Sequence, residues 1–323
     1  MQRRHLLQAL AASALPLSAS LARADAGPVR LIVPFGAGGV TDLTGRTYGE
    51  YMGRAMGQSF IVENKPGAGA TIGANFVVKA KPDGQTLLLG TNVTHAINPF
   101  LMKAFPYDPL KDLQAVGLFG HNGNVLVVRK DYPVDSFPAF VERAQRMKDE
   151  MTYASASIGS SAHMASELLR QSVPGGLAYR HIPFAGPSEA MSALMGGHVD
   201  FCFLNIGAAI SQVQGNKVKG LAVTTRKRAA SLPQIPTIAE SGVPGFEVVG
   251  WMAAFVPSGT PAARVTALNA ALNQVQQDAG LMKILANAAI DPEPWTPAQT
   301  TEFVKAEYAK WKRVIEKAGL EKV

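Results

Sequence analysis

An apolar run at residues 29–35 ends in Gly36-Ala37-Gly38-Gly39 and gives way at once to a helical stripe, with apolar or small residues at 40, 43, 47, 48, 51, 52, 55 and 56. A buried strand that feeds a glycine turn and then a helix is the opening half of a βαβ unit. The same order recurs along the chain. Strand-like runs at residues 59–63, 86–90, 152–156, 178–182, 199–203 and 220–224 alternate with helical patterns at 70–80, 136–148, 161–171 and 187–195. That alternation predicts an α/β fold with largely parallel sheets. Two β-like stretches stand apart: residues 115–129, with a glycine/asparagine interruption at 121–124, and residues 246–256, behind a proline-rich stretch. The last third reads as helices at 262–279, 281–288 and 297–318.

Two βαβ blocks joined by two long β-like segments, with helices closing back on the first block, predict two lobes and a double crossover. Residues 27–125 with 249–323 form one lobe in this reading, and 126–248 the other. Ligands in such sheets bind beyond the carboxyl ends of the strands, so a site is expected in the interlobe cleft. Gly45, Gly49 and Gly53 fall four apart on one side of the first helix. Each glycine costs a helix interior about 1 kcal/mol, so that side must pack closely against the sheet.

Residues 1–26 read as a secretory signal. Gln2-Arg3-Arg4-His5 is a basic head, an apolar run follows to Leu21, and Ala24-Asp25-Ala26 supplies small residues for cleavage. The apolar run is too short and too rich in Ala and Ser to be kept as a membrane span. Arg3-Arg4 also fits a twin-arginine signal, so both the Sec and the twin-arginine routes stay open. Either route delivers the chain to the periplasm.

The formal net charge of +7 falls to about +5 without that segment. Arg226-Lys227-Arg228 is the one tight basic cluster, and it lacks the interleaved aromatics of a nucleic-acid binder. A mild positive balance suits attraction of small anions instead. Cys202 is the single cysteine and sits in an apolar run, so it reads as a buried, inert thiol without a disulfide. The histidines show no ligand spacing and there is no Cys pair, so neither a metal nor a cofactor is expected.

Two loops carry candidate chemistry. In Pro34-Phe35-Gly36-Ala37-Gly38-Gly39-Val40-Thr41-Asp42, glycines between strand and helix let the backbone approach a ligand, with N–H groups and the positive helix end pointing at it. Thr41 is placed to cap the helix or to reach a ligand. Asp42 is expected to brace the loop, because a carboxylate beside an anion site is repulsive. The second loop, Ser155-Ala156-Ser157-Ile158-Gly159-Ser160-Ser161-Ala162-His163, again runs from a strand into a helix, with Ser160 or Ser161 as N-cap. His163 in the first helical turn is expected neutral, either facing a ligand or paired with Glu167. Thr91-Asn92-Val93-Thr94-His95 reads as a polar loop or a further source of donors. Asn64-Lys65-Pro66-Gly67-Ala68-Gly69 has G-x-G-x-x-x-G spacing rather than the dinucleotide G-x-G-x-x-G, and reads as a turn rimming the cleft. No G-x-S-x-G elbow is present, and Ser160 and His163 on one helix end cannot form a triad by themselves.

Taken together, these motifs, with Pro82-Asp83-Gly84, Gly196-Gly197-His198-Val199-Asp200, Leu221-Ala222-Val223-Thr224 and Leu232-Pro233-Gln234-Ile235-Pro236-Thr237, occur in the order of one family. From about Val29 to the C-terminus the chain resembles the Bug (TctC-like) solute receptors of tripartite tricarboxylate transporters. The resemblance implies a two-lobed, type II-like periplasmic binding protein that closes on a small carboxylate as a monomer. It would deliver its cargo to membrane permease subunits or signal through a sensor. Carried over, it points to Phe35, Gly36, Ala37, Gly38 and Thr41 on one side. Ser155, Ser160, Ser161 and His163 face them, with Thr91 and Asn205 nearby. One departure stands out: many members have a Phe-Asp pair after the Val-Asp, whereas this chain has Phe203-Leu204-Asn205. Leu204 implies a less polar, non-amino acid as cargo. The rival readings are an enzyme (a hydrolase or lyase) on the same scaffold, and a structural or adhesion protein without cargo.

Overall fold

Each strand-and-helix alternation of the sequence becomes a unit of one path of strands in the computed structural model, which describes residues 27–155 and 159–322. The expected secretion signal, and Ala156, Ser157 and Ile158 of the serine-rich loop, lie outside the described residues. The first block is β1 (Val29–Val33), α1 (Val40–Met56), β2 (Phe60–Asn64), α2 (Thr71–Val78) and β3 (Thr86–Thr91). A π-helical turn at Val93–Ile97 and the short α3 (Asn98–Leu101) lead into β4 (Leu113–Arg129). The second block is α4 (Phe137–Met147), β5 (Thr152–Ser155), α5 (Ser161–Ser172), β6 (Arg180–Pro183), α6 (Pro187–Met195), β7 (Phe201–Asn205), α7 (Ile206–Gln214) and β8 (Val218–Val223). β9 (Val249–Pro257) then returns the chain to α8 (Ala262–Val275), α9 (Ala279–Asn287) and α10 (Pro297–Ala318).

The strand order is β2-β1-β3-β9-β4-β7-β5-β6, with β8 also paired to β4. Within each block the pairing is parallel, β1 with β2 and β3, and β5 with β6 and β7. The strands at the join are antiparallel: β9 pairs with β3 and β4, and β4 with β7 and β8. The expectation of largely parallel sheets therefore holds inside the blocks and gives way to mixed pairing where the two long segments meet. Glycine and asparagine at 121–124 do not interrupt β4. They are where its partner changes, from β9 as far as Gly123 to β7 and β8 from Asn124 onward. The two-lobed α/β architecture with a double crossover follows from that exchange.

α1 lies close on its sheet for the reason its glycines suggest. A Cβ on Gly45 would stand 2.8 Å from Val33 Cγ2, and one on Gly49 3.1 Å from Val62 Cγ2. Leu31, Val33, Tyr48, Met52, Leu89, Leu268 and Leu272 share the core on that side. In the second block, alternate residues of β7 face opposite ways: Phe201 and Phe203 pack with α4 and α5, while Cys202 and Leu204 pack with α6 and α7. Burial pushes the Cys202 thiol pKa up, in keeping with an inert core cysteine. α10 starts at a capping box made by Thr296 and Gln299. It buries Val304 with Trp251 and Phe255, and Trp311, Val314 and Ile315 among Leu126, Phe201 and Phe203. One helix thus packs into the cores of both blocks. No helix among the described residues is long and apolar enough to cross a membrane.

Candidate functional site

Because β5, β6 and β7 run parallel, their carboxyl ends lie along one edge, and the helices that follow them begin side by side there. α5 starts at Ser161, α6 at Pro187 and α7 at Ile206; α1 faces them from the first block, starting at Val40. The four helix starts meet at one cavity of about 450 Å³. Gly38, Gly39, Val40 and Leu43 line it from α1 and its loop; Ser160, Ser161 and Ala162 from α5; Pro187 from α6. Leu204, Asn205, Gly207 and Ala208 line it from β7 and α7, with Asn124 and Ala288 between. No charged side chain is among these residues.

A helix start leaves its first N–H groups without intrahelical partners and carries a partial positive charge. Here much of that capacity stays open. Gly39, Gly186 and Asn205 are the N-caps of α1, α6 and α7, and none caps its helix with a side chain. At α5, by contrast, Ser160 Oγ accepts the His163 N–H at 3.3 Å. Thr41, expected as a candidate cap, lies inside the first turn of α1, because the chain enters the helix two residues earlier at Gly39.

Asp42 braces the glycine loop, as expected. Its carboxylate accepts the Gly38 N–H at 2.9 Å, Asn64 Nδ2 at 2.9 Å and Arg46 Nε at 3.1 Å. Burial acts to raise its pKa, but the hydrogen bonds from Arg46, Gly38 and Asn64 and the Arg46 charge outweigh it and hold the group below the usual carboxylate range. The Gly38 N–H, one of the loop donors expected to meet a ligand, is therefore given to Asp42. The second glycine loop is a turn held by Asn98 Nδ2 on Gly69 O at 2.6 Å, and it does not line the cavity.

A row of amides crosses the cavity floor. Asn122 Nδ2 donates to Asn205 Oδ1 at 2.7 Å, and Asn205 Nδ2 to Asn124 Oδ1 at 3.2 Å. Ser161 Oγ donates to the same Asn124 oxygen at 3.3 Å. Asn124 Nδ2, on a residue that is 0% exposed, has no partner. An unpaired buried donor at a cavity wall costs about 1–3 kcal/mol and is relieved by an incoming acceptor.

Of the residues expected in the site, Gly38, Ser160, Ser161 and Asn205 line the cavity. Phe35, Gly36, Ala37 and Thr41 lie just outside it on the α1 side, half-buried or exposed. Thr91 is buried at the end of β3, where its N–H donates to Thr94 Oγ1 at 2.8 Å. Ser155 and His163 stand behind the serine loop. Ser155 Oγ is 2.7 Å from His181 Nε2, and His163 Nδ1 accepts the Gly159 N–H at 3.0 Å, which places its proton on Nε2. His163 is not paired with Glu167. That carboxylate takes the Tyr153 hydroxyl at 2.9 Å and the Arg170 guanidinium at 3.4 Å, while His163 stacks on His181 with ring centroids 4.4 Å apart.

Burial, then the neighbouring His181 and Arg170, lower the His163 pKa to about 3; burial, then Arg170, lower that of His181 to about 4. Both values lie below the unfolded value near 6.5. The unfolded chain therefore takes up these protons first, and stability is complete above about pH 6.5 and falls with acid. The expected loss is about 1.4 kcal/mol per pH unit for each ring between about pH 6 and pH 4. Melting temperatures measured across that range should fall more gently in His181→Phe than in the unsubstituted protein; parallel slopes would refute the assignment.

The sequence profile of the tripartite tricarboxylate transporter family receptors matches residues 45–320. The chain belongs to this family. Protein BugT of Bordetella pertussis is 32% identical over 312 residues, covering 96% of this chain and 94% of that one. Among solved structures, Rpa4515 of R. palustris with adipate is 31% identical with a TM-score of 0.80, covering 93% of this chain and 99% of that one. MatC of Rhodopseudomonas palustris with bound malate is 31% identical with a TM-score of 0.75, covering 90% and 99%. The fold is thus that of the two-lobed periplasmic binding proteins, and the receptor is a solute-binding protein rather than an enzyme.

Sequence reasoning missed Asn124 and the start of α7. Asn124 sat in a stretch read as an interruption. The helix had a usable signal, the stripe Ile206, Ala209, Ile210 and Val213, obscured because β7 runs straight into it.

Proposed function

We propose that this receptor captures a small organic carboxylate in the periplasm, after removal of residues 1–26 by the Sec or twin-arginine route, and presents it to membrane permease subunits or a sensor. The observation that carries the reading is the meeting of four helix starts at a cavity with no charged side chain. A carboxylate there exchanges hydration for backbone N–H groups and helix dipoles, with charge-assisted hydrogen bonds of about 1.5–3 kcal/mol each. Adipate on Rpa4515 and malate on MatC agree in ligand class. Ser160, Ser161 and Asn205 touch the carboxylate in this proposal, joined by Asn124, while Gly38, its N–H held by Asp42, lines the wall beside them. Phe35, Gly36, Ala37 and Thr41 complete the rim as the lobes close, and Ser155 and His163 hold the serine loop from behind. Thr91 steadies the end of β3.

The lobes we assign are residues 27–125 with 249–323, and 126–248, because the partner exchange in β4 falls at Gly123 and Asn124. One chain completes the cavity, which supports action as a monomer. Mass spectrometry of small molecules released on denaturing the purified protein tests the reading. A carboxylic acid in near-stoichiometric yield is expected; release of a cationic or neutral solute instead would reject it.

A further inference from the structure

We infer that Asn122, which does not itself line the cavity, is a positioning residue for the cargo: it sets the direction of the amide row, so that Asn124 turns a donor to the ligand. This rests on the carboxylate reading above and deepens it. Asn122 and Asn124 are two apart on β4, so their side chains leave the same face of the strand. Asn205, at the end of β7, is paired with Asn124 in the ladder and its side chain reaches both amides. Asn122 stands opposite Gly250 of β9, where a Cβ would lie only 2.6 Å from Asn122 Oδ1. Only a residue without a side chain leaves room for the amide in that seat.

Each amide carries an oxygen that accepts and a nitrogen that donates. Along the row Asn122 donates to Asn205, and Asn205 to Asn124. Turning one member alone would set nitrogen against nitrogen or oxygen against oxygen, so the row reverses as a whole or not at all. Ser161 cannot fix the direction, because a hydroxyl turns to donate or to accept. The far end can. Asn122 is 6% exposed and hands its Nδ2 to Asn205, so Asn205 and Ser161 both donate to Asn124 Oδ1. The buried Asn124 Nδ2 is thereby left without a partner among the described residues. In the reverse direction that nitrogen would be spent on Asn205, and a carboxylate would meet an oxygen.

Adipate, malate and benzoate are titrated calorimetrically into the purified protein, and the tightest binder serves as the probe. Asn122→Asp accepts but cannot donate, and is expected to weaken that acid about ten-fold, the worth of one charge-assisted hydrogen bond. Gly250→Ala dislodges the Asn122 amide without adding a charge and should act in the same direction. It carries the test if thermal melting shows Asn122→Asp to be unfolded. Repeating both substitutions in an Asn124→Ala background separates direction from a merely structural effect. With no amide at 124 to turn, each should cost less than about three-fold. Losses undiminished in that background would overturn the inference and leave the carboxylate reading standing, and so would full affinity in both single variants. If none of the three acids binds, the carboxylate reading fails and the inference falls with it.

Discussion

Ser161→Asp is expected to weaken capture of the carboxylate on the order of a hundred-fold while leaving the fold as stable as before, or slightly more so. Ser161 is the first residue of α5 and half-buried at the cavity, with its hydroxyl on Asn124 Oδ1. An aspartate there adds a negative charge at a helix start, which favours the helix by about 0.3–1 kcal/mol. The same charge stands beside the proposed seat of the ligand anion. Two unit charges about 5 Å apart at an effective dielectric of about 20 repel by about 3 kcal/mol, on the order of a hundred-fold in affinity. Calorimetric titration should show that loss, and thermal melting should show an unchanged or raised midpoint. Retained affinity would mean that the anion sits elsewhere; a lowered midpoint would mean that the fold, not the charge, accounts for any loss.

The largest expected effect on stability comes from Trp311→Ala. Trp311 is fully buried, and its indole N–H donates to Glu307 Oε2 at 2.9 Å. Glu307 also takes Trp251 Nε1 at 3.3 Å and is ion-paired with Lys310. Removing a buried indole costs about 3–5 kcal/mol through lost burial and the cavity left behind. For a chain of this size that is on the order of a 10 °C fall in melting temperature. Because α10 also buries Val304 in the core of the first block, the fall should move the unfolding of the whole molecule. Circular dichroism melts would contradict this if the midpoint shifted by less than about 2 °C, or if one transition of two moved alone.

Period and turn chemistry made much of this molecule readable before its structure. Glycines four apart in α1 correctly implied an intimate contact with the sheet, and the Gly38 and Ser160 loops do open onto one cavity. The amide row escaped because its members are distant in sequence. Asn122, Asn124 and Asn205 form one amide row although more than 80 residues separate Asn205 from the other two. Such a pairing is fixed by the register of β4 against β7, to which a single sequence gives no access. The Gly38 N–H was lost to Asp42 for a local reason: a side chain four residues on reached it first.

Asn124 has one further consequence. Its backbone N–H donates to Thr224 Oγ1 at 2.9 Å, and the Thr224 hydroxyl in turn donates to Val248 O. Both passages between the lobes are pinned to each other at this knot, and one of its members, Asn124, is the residue whose side-chain amide we propose meets the cargo. The receptor therefore resembles a balance loaded at its pivot instead of at its pans. In that proposal, cargo docks where a slight turn of the backbone would become a wide swing at the rims. Substitutions at Thr224, which is buried and does not line the cavity, should for that reason tune how tightly the receptor holds its cargo.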